Sequence, residues 1–158
     1  FLGRELVWPL GFLKKKEMQN IVRTVLKQIG IEIVDINQRV GTLSGGQRQA
    51  IAIGRAIYFG GKLLILDEPT AALSLKETEE VLRYIKNARD RLGSSVILIS
   101  HLTLHVYPIA DRFTVLEKGE KIADVEKNAV SAEELEALII WGRQGMAKIR
   151  AGKQEVKE

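Results

Sequence analysis

The stretch Leu63-Leu64-Ile65-Leu66-Asp67-Glu68-Pro69-Thr70 decides the fold class of this chain. Its continuous apolar run is closed by two acids and by a proline, which cannot donate to a sheet, so residues 62–67 are predicted to form a buried parallel strand. A second apolar run at 96–100 predicts another buried strand, and a helical pattern separates the two. This alternation predicts an α/β sheet with helices on its faces.

Helical spacing and end signals predict the helices around these strands. Apolar residues recur at helical spacing over 17–29, and Gly30 follows as the expected stop. Residues 47–59 are apolar nearly all round, which predicts a buried helix. Ser74 and Glu77 form a capping-box pattern that starts a helix ending at about residue 92.

The C-terminal part of the sequence predicts a hairpin and one more helix. Residues 113–117 and 121–125, joined across 118–120, are predicted to form a hairpin or two adjacent edge strands. Ser131 with Glu134 predicts a capping box and a helix to about residue 140. We expect a helical subdomain at 1–45, the catalytic elements at 46–140 and a charged tail at 141–158.

Composition limits the kinds of protein that this chain can be. Its 158 residues are 46% hydrophobic and 28% charged, which suits one globular domain. The absence of cysteine excludes disulfides and thiolate metal sites, and Arg55 interrupts the longest apolar run, so no membrane span is expected. A net charge of +4 would suit nucleic acid or an anionic membrane, but the lysines are mostly scattered, which favours an ordinary solvated surface.

A glycine-rich helix start is the first candidate site. Ser44-Gly45-Gly46-Gln47 stands at the start of the predicted helix, where unpaired backbone N–H groups and the positive end of the dipole converge. Such an end attracts phosphate, and the glycines let the backbone approach an anion. The alternative is a capping box, with Ser44 at the N-cap and Gln47 three residues on, which needs no ligand.

The paired acids at the end of the first strand are the second candidate site. Asp67 and Glu68 lie at the carboxyl edge of the predicted sheet, where ligands of open α/β sheets bind. Neighbouring residues of an extended strand point to opposite sides, so one acid can hold Mg²⁺ while the other deprotonates an attacking water. The alternative is a solvated acidic turn.

His101 follows the second strand and is predicted to reach the same crevice as Asp67 and Glu68. There it can contact a terminal phosphate and respond to its loss. A single histidine is otherwise more often structural, so the interpretation depends on the neighbouring acids.

Together these motifs resemble the ATP-binding subunit of an ABC transporter. Residues 43–47 are similar to its signature motif, 63–68 to Walker B with Glu68 as the catalytic glutamate, and His101 to its switch histidine. Phe1-Leu2-Gly3-Arg4-Glu5 and the segment 67–74 are similar to subunits of monosaccharide importers. Ser74 departs from the aspartate that the general D-loop carries.

The resemblance implies the C-terminal part of an ABC-type, RecA-like P-loop NTPase domain with a helical subdomain. It implies ATP and Mg²⁺ as cofactors, with Asp67 as a metal and nucleotide ligand. Two ATPase subunits would dimerise head to tail, so Ser44 to Gln47 would act on the nucleotide of the partner, while Asp67, Glu68 and His101 act in their own subunit. The other implied partners are transmembrane permease subunits, at the cytoplasmic face of the inner membrane.

The phosphate-binding loop of that family has no counterpart in this sequence. No Gly-x-x-x-x-Gly-Lys-Ser/Thr occurs, and Gly60-Gly61-Lys62 is followed by leucine. The chain also opens at Phe1 without methionine, so we expect a piece of a longer polypeptide that hydrolyses no ATP alone. The alternative is a related ATPase that acts on nucleic acid or the ribosome, although the insertions usual in those relatives are not seen, and no nucleic acid is expected as a partner.

Overall fold

The computed structural model describes residues 1–31, 35–142 and 144–145. They fall into two compact units, Phe1–Ser100 and His101–Glu158. Most of the predicted charged tail lies outside the described residues. No helix in the described part of the chain is long and apolar enough to cross a membrane.

The first unit begins with a small loop and a helix. An antiparallel bridge between Val7 and Leu13 closes the loop. Helix α1 spans Lys15–Ile29, and Gly30 ends it in the left-handed conformation with φ 87°. The predicted helix and its glycine stop are therefore confirmed, with the helix starting two residues earlier than expected.

Two longer helices and two strands complete the first unit. Helix α2 spans Gly45–Tyr58, strand β1 Leu63–Asp67, helix α3 Leu75–Leu92 and strand β2 Ser95–Ile99. A short 3-10 helix, Val40–Thr42, precedes α2. Strands β1 and β2 are parallel, and their register runs from Leu63 opposite Ser95 to Asp67 opposite Ile99. The predicted alternation of parallel strands with helices is confirmed.

The core of this unit lies between its helices. One cluster of buried side chains joins the three helices: Leu26, Ile29, Ile31, Ala50 and Tyr84. Helix α3 also buries Val81 and Ile85, on the face predicted from their spacing. Asn87 of α3 donates to the carbonyl of Ile29 over 2.8 Å, which satisfies a polar group at the end of α1.

The prediction that β1 and β2 are buried on both faces is wrong. Leu64 is 3% exposed, whereas its neighbour Ile65 is 64% exposed, and Ile97 and Ile99 of β2 are about half exposed. Helix α2 contacts β1 and α3 contacts β2, so among the described residues one face of the sheet is covered and the other is open. A continuous apolar run gives no sign of which face a neighbouring element covers.

Helix α2 is likewise buried on one side only, against the prediction of burial all round. Its buried residues are Gly46, Ala50, Ile53 and Gly54. Ala52 and Ala56 are exposed and line an open depression with residues 63–66 of β1. Apolar side chains on every face predicted a helix surrounded by protein, and the described residues of this unit pack on one side of it.

The second unit consists of a hairpin between two helices. Its elements are α4 Thr103–Val106, β3 Arg112–Glu117, β4 Glu120–Glu126, a 3-10 helix Lys127–Ala129 and α5 Ala132–Trp141. Strands β3 and β4 are antiparallel, and Lys118 and Gly119 turn the chain with positive φ. The predicted hairpin and the capping box of Ser131 and Glu134 are confirmed. Val115, Ala123 and Leu135 belong to its core.

Candidate functional site

The start of α2 is a capping box on the protein surface. Ser44 is the N-cap, and its hydroxyl oxygen accepts a hydrogen bond from the backbone N–H of Gln47 over 3.3 Å. The side-chain oxygen of Gln47 in turn accepts from the N–H of Ser44 over 3.0 Å. The capping interpretation is therefore correct. Ser44 is also exposed, so the cap leaves this helix end open to a ligand.

Both glycines of this helix start are closely packed, which the sequence does not reveal. A Cβ on Gly45 would lie 2.5 Å from Cδ2 of Leu73, and a Cβ on Gly46 would lie 3.3 Å from Cβ of Glu77. The sequence explained these glycines by the approach of an anion. In the structure the turn before α3 occupies that space, so the glycines have a packing role whether or not an anion binds.

The acids at the end of β1 have different surroundings. Asp67 is the last residue of the strand, and its side chain is exposed. The backbone N–H of Glu68 donates to the carbonyl of Ile99 over 3.0 Å, so pairing with β2 extends one residue past the strand. The Glu68 side chain is partly buried. The exposed carboxylate of Asp67 suits a hard cation such as Mg²⁺, which binds few protein ligands and keeps water or phosphate oxygens as the others.

Glu68 does not continue the strand, which corrects the prediction of simple alternation with Asp67. Its φ is 45°, in the left-handed region, where a residue with a Cβ costs roughly 1–2 kcal/mol. Ala72 is also left-handed, with φ 60°. Non-glycine residues in this conformation occur at turns and functional sites where the surroundings fix them. The two acids thus differ in environment because the chain turns at Glu68, and not because a strand pleat separates them.

A tight connection joins the acids to α3. The N–H of Ala71 donates to the carbonyl of Glu68 over 3.1 Å, and the N–H of Leu73 donates to that of Thr70 over 3.3 Å. Thr70 is 3% exposed, so the middle of the connection is anchored in the protein. Ser74 then caps α3.

Glu77 links this connection to the start of α2. Its Oε2 accepts from the backbone N–H of Ser74 over 3.1 Å and from the Ser74 hydroxyl over 2.9 Å. Its Oε1 accepts from the backbone N–H of Gly46 over 3.5 Å. The Ser74 backbone, with the hydroxyls of Ser74 and Ser44 and the Gly46 backbone, lowers the pKa of Glu77 to about 2.

Sequence reasoning assigned Glu77 only to the cap of its own helix. The pattern Ser74-x-x-Glu77 identifies that cap, and the structure confirms it. The contact with Gly46 joins residues 31 positions apart. No local pattern predicts such a contact.

His101 is the first residue of the second unit, two positions after β2 ends, and its side chain is exposed. Its predicted place beside Asp67 and Glu68 therefore stays a prediction.

The four residues of the first candidate site form one continuous helix start: Ser44, Gly45, Gly46 and Gln47. In the described residues, no group of three or more His, Cys, Asp and Glu side chains could hold a metal ion.

A parallel pair of strands with acids at its carboxyl end, together with a capped glycine-rich helix start, is an arrangement that α/β proteins use to bind nucleotides. Residues 4–71 match the family model described as ABC transporter. Over these residues the chain matches that family.

Two curated relatives show which members of the family the chain is similar to. The chain is 42% identical over 135 residues to the xylose/arabinose import ATP-binding protein of Sulfolobus acidocaldarius, covering 85% of this chain and 53% of that protein. It is 43% identical over 129 residues to the fructose import ATP-binding protein of Rhizobium meliloti, covering 77% and 49%. The chain thus spans about half the length of these relatives.

Solved structures agree with the fold. A dimeric post-hydrolysis ATP-binding cassette bound to ADP and Pi matches with TM-score 0.60 and 26% identity, covering 74% of this chain and 50% of that one. An inward-facing putative metal-chelate type ABC transporter matches with TM-score 0.68 and 26% identity, covering 85% and 52%. The α/β fold of an ABC ATPase is therefore confirmed.

Proposed function

We propose that this chain is the signature and Walker B part of an ATP-binding subunit that powers sugar import by an ABC transporter. The observation that carries the proposal is the open, capped start of α2 at Ser44, with the glycines that follow it. A helix N-terminus with an exposed cap residue suits the phosphates of a nucleotide. The relatives named for xylose, fructose and ribose import support a sugar as the transported substrate.

Each candidate residue has a chemical task in this proposal. Asp67, exposed at the end of β1, holds Mg²⁺. Glu68, partly buried and fixed by its backbone bond to Ile99, orients the attacking water and takes its proton. His101 contacts the terminal phosphate. Mg²⁺, when bound, neutralises charge that develops on the phosphate oxygens.

Ser44 to Gln47 act on the nucleotide held by a second ATPase subunit or domain in a head-to-tail dimer. The exposure of Ser44 at the surface supports this role, because a residue sealed in the core cannot reach a partner. One of the similar solved structures is described as dimeric. In this arrangement dimer closure completes the site, and the helical region before Ser44 meets the permease at the cytoplasmic face of the inner membrane.

The chain by itself is proposed to be inactive as an ATPase. Its sequence holds no Gly-x-x-x-x-Gly-Lys-Ser/Thr to grip the β- and γ-phosphates, and catalysis of phosphoryl transfer consists mainly of positioning and charge stabilisation. Mg²⁺-dependent ATP hydrolysis by the purified chain above a no-protein blank would contradict this proposal.

The parent subunit, assembled with its permease, provides the test. Ser44→Arg places a bulky cation at the helix start and should abolish ATP-driven transport while the subunit still co-purifies with the permease. Ser95→Arg, at an exposed position at the start of β2, is the matched control and should transport normally. Normal transport by Ser44→Arg would show that the start of α2 does not face the nucleotide.

A nucleic-acid function is the second hypothesis, and the relatives named above give it no support. It predicts salt-dependent binding of DNA or RNA, because neutralising phosphates releases counterions. A gel-shift measurement at two salt concentrations would detect this binding. We expect no shift at physiological salt.

A further inference from the structure

The N-terminus of α2 has a negative charge that comes from another helix. The first turn of α2 contains no acidic residue, and its own capping box uses the neutral side chain of Gln47. The carboxylate of Glu77, in the first turn of α3, accepts from the N–H of Gly46 instead. An anion at this position stabilises the positive end of the α2 dipole.

The same carboxylate is held firmly by its own helix. Oε2 has two bonds to Ser74, at 3.1 and 2.9 Å, while Oε1 faces Gly46 over 3.5 Å. Glu77 packs against Gly46 as well, since a Cβ there would lie 3.3 Å from the Cβ of Glu77 and 3.4 Å from its Cγ. Glu77 therefore ties the start of α2 to the start of α3 through both hydrogen bonds and packing.

We propose that Glu77 is a positioning residue that acts as an internal anion at the start of α2 and competes there with phosphate. This inference depends on the proposed function, in which the N–H groups of residues 44–47 receive phosphate. A phosphate at that end would meet the Glu77 carboxylate at close range. Two like unit charges about 4 Å apart repel by roughly 1 kcal/mol in water, which is about a fivefold change in affinity.

The competition has a structural consequence for the connection before α3. When phosphate takes the N–H of Gly46, the Oε1 contact of Glu77 is released, while its Oε2 stays bonded to Ser74. The carboxylate is then held by Ser74 alone, and Ser74 directly follows the connection from Glu68. A change at Gly46 therefore alters the surroundings of Ser74. Glu77 is thus the contact that links phosphate at the signature helix to the segment carrying the acids.

Titration of the chain with inorganic phosphate, followed by NMR at backbone amides, tests this competition. We expect phosphate to shift the amides of Gly45, Gly46 and Gln47 weakly in the wild type. Glu77→Gln keeps a side-chain oxygen for the cap but removes the charge, and should bind phosphate about fivefold more tightly. Sodium chloride at equal ionic strength serves as the blank.

Glu134→Gln is the matched control, because Glu134 holds the same capping-box position in α5 and the change removes the same charge. It should leave phosphate affinity at Gly46 unchanged. Glu77→Ala is the second variant and should also bind more tightly, provided that its amide spectrum shows a folded chain. The amide of Ser74 should move with phosphate in the wild type and stay still in both Glu77 variants.

The possible failures are separable. Equal phosphate affinity in wild type and Glu77→Gln, with shifts present at Gly45 to Gln47, would overturn the role of Glu77 alone. Absence of any shift at these amides in every variant would instead contradict the phosphate-facing helix start of the proposed function, and the inference would fall with it.

Discussion

At the scale of single residues, Gly45 shows that a motif glycine can be fixed by packing as well as by a ligand. The space that its Cβ would fill is occupied by Cδ2 of Leu73 at 2.5 Å. The sequence correctly predicted a glycine-rich helix start with Ser44 as its cap. It could not predict this neighbour, because Leu73 comes from a separate turn.

Gly45→Ala should destabilise the chain by roughly 1–3 kcal/mol, the usual cost of overpacking, with relief limited to what a rotation of Leu73 allows. Urea unfolding measures the change. Gly41→Ala is the control, since a Cβ at Gly41 meets nothing within 4 Å. Equal stability of the two variants would mean that the turn before α3 is not held against α2.

Glu77 also makes the stability of the chain depend on pH. Its pKa falls from 4.5 to about 2 on folding, chiefly because the Ser74 backbone donates to the carboxylate. A lowered pKa adds stability that is complete above pH 4.5 and is lost as the pH falls towards 2. Glu77→Gln should therefore lose less stability than wild type between about pH 5 and pH 3. The measurement is the unfolding midpoint of wild type, Glu77→Gln and the control Glu80→Gln at both pH values. An equal loss of stability in all three proteins would contradict this prediction.

At the scale of elements, capping residues in the sequence predicted the helix ends well. Apolar runs predicted the burial of the strands poorly. Gly30, Ser74 and Ser131 lie at the predicted helix ends because caps depend on residues close in sequence. The exposure of Ile65 beside buried Leu64 depends on which face a distant helix covers. That information is not contained in a run of four apolar residues.

Because only one face of the sheet is covered, truncating neighbouring residues of β1 should destabilise the chain by very different amounts. Leu64→Ala removes a side chain that is 3% exposed, and should cost about 2–5 kcal/mol. Ile65→Ala, at 64% exposure, should change the free energy of unfolding by about 0.5 kcal/mol or less. Urea unfolding of both variants measures these changes. Similar large losses of unfolding free energy in both variants would show that the open face is covered in solution.

At the scale of the whole molecule, the motif order in the sequence was enough to identify the family. The signature-like start of α2, the acidic end of β1 and the parallel pairing with β2 were each predicted and each found in the first unit. The contact of Glu77 with Gly46 and the turn at Glu68 were not predicted, because both depend on elements brought together by folding.

Replacing Glu68 by glutamine in the parent subunit, assembled with its partners, tests the central claim most directly. Glu68→Gln should bind Mg²⁺-ATP as wild type does, and should hydrolyse it about 10²- to 10⁴-fold more slowly, since the general base is lost. Glu79→Gln, an exposed position of α3, should hydrolyse ATP normally. Unchanged turnover in Glu68→Gln would contradict the assignment of this strand end as the hydrolytic site.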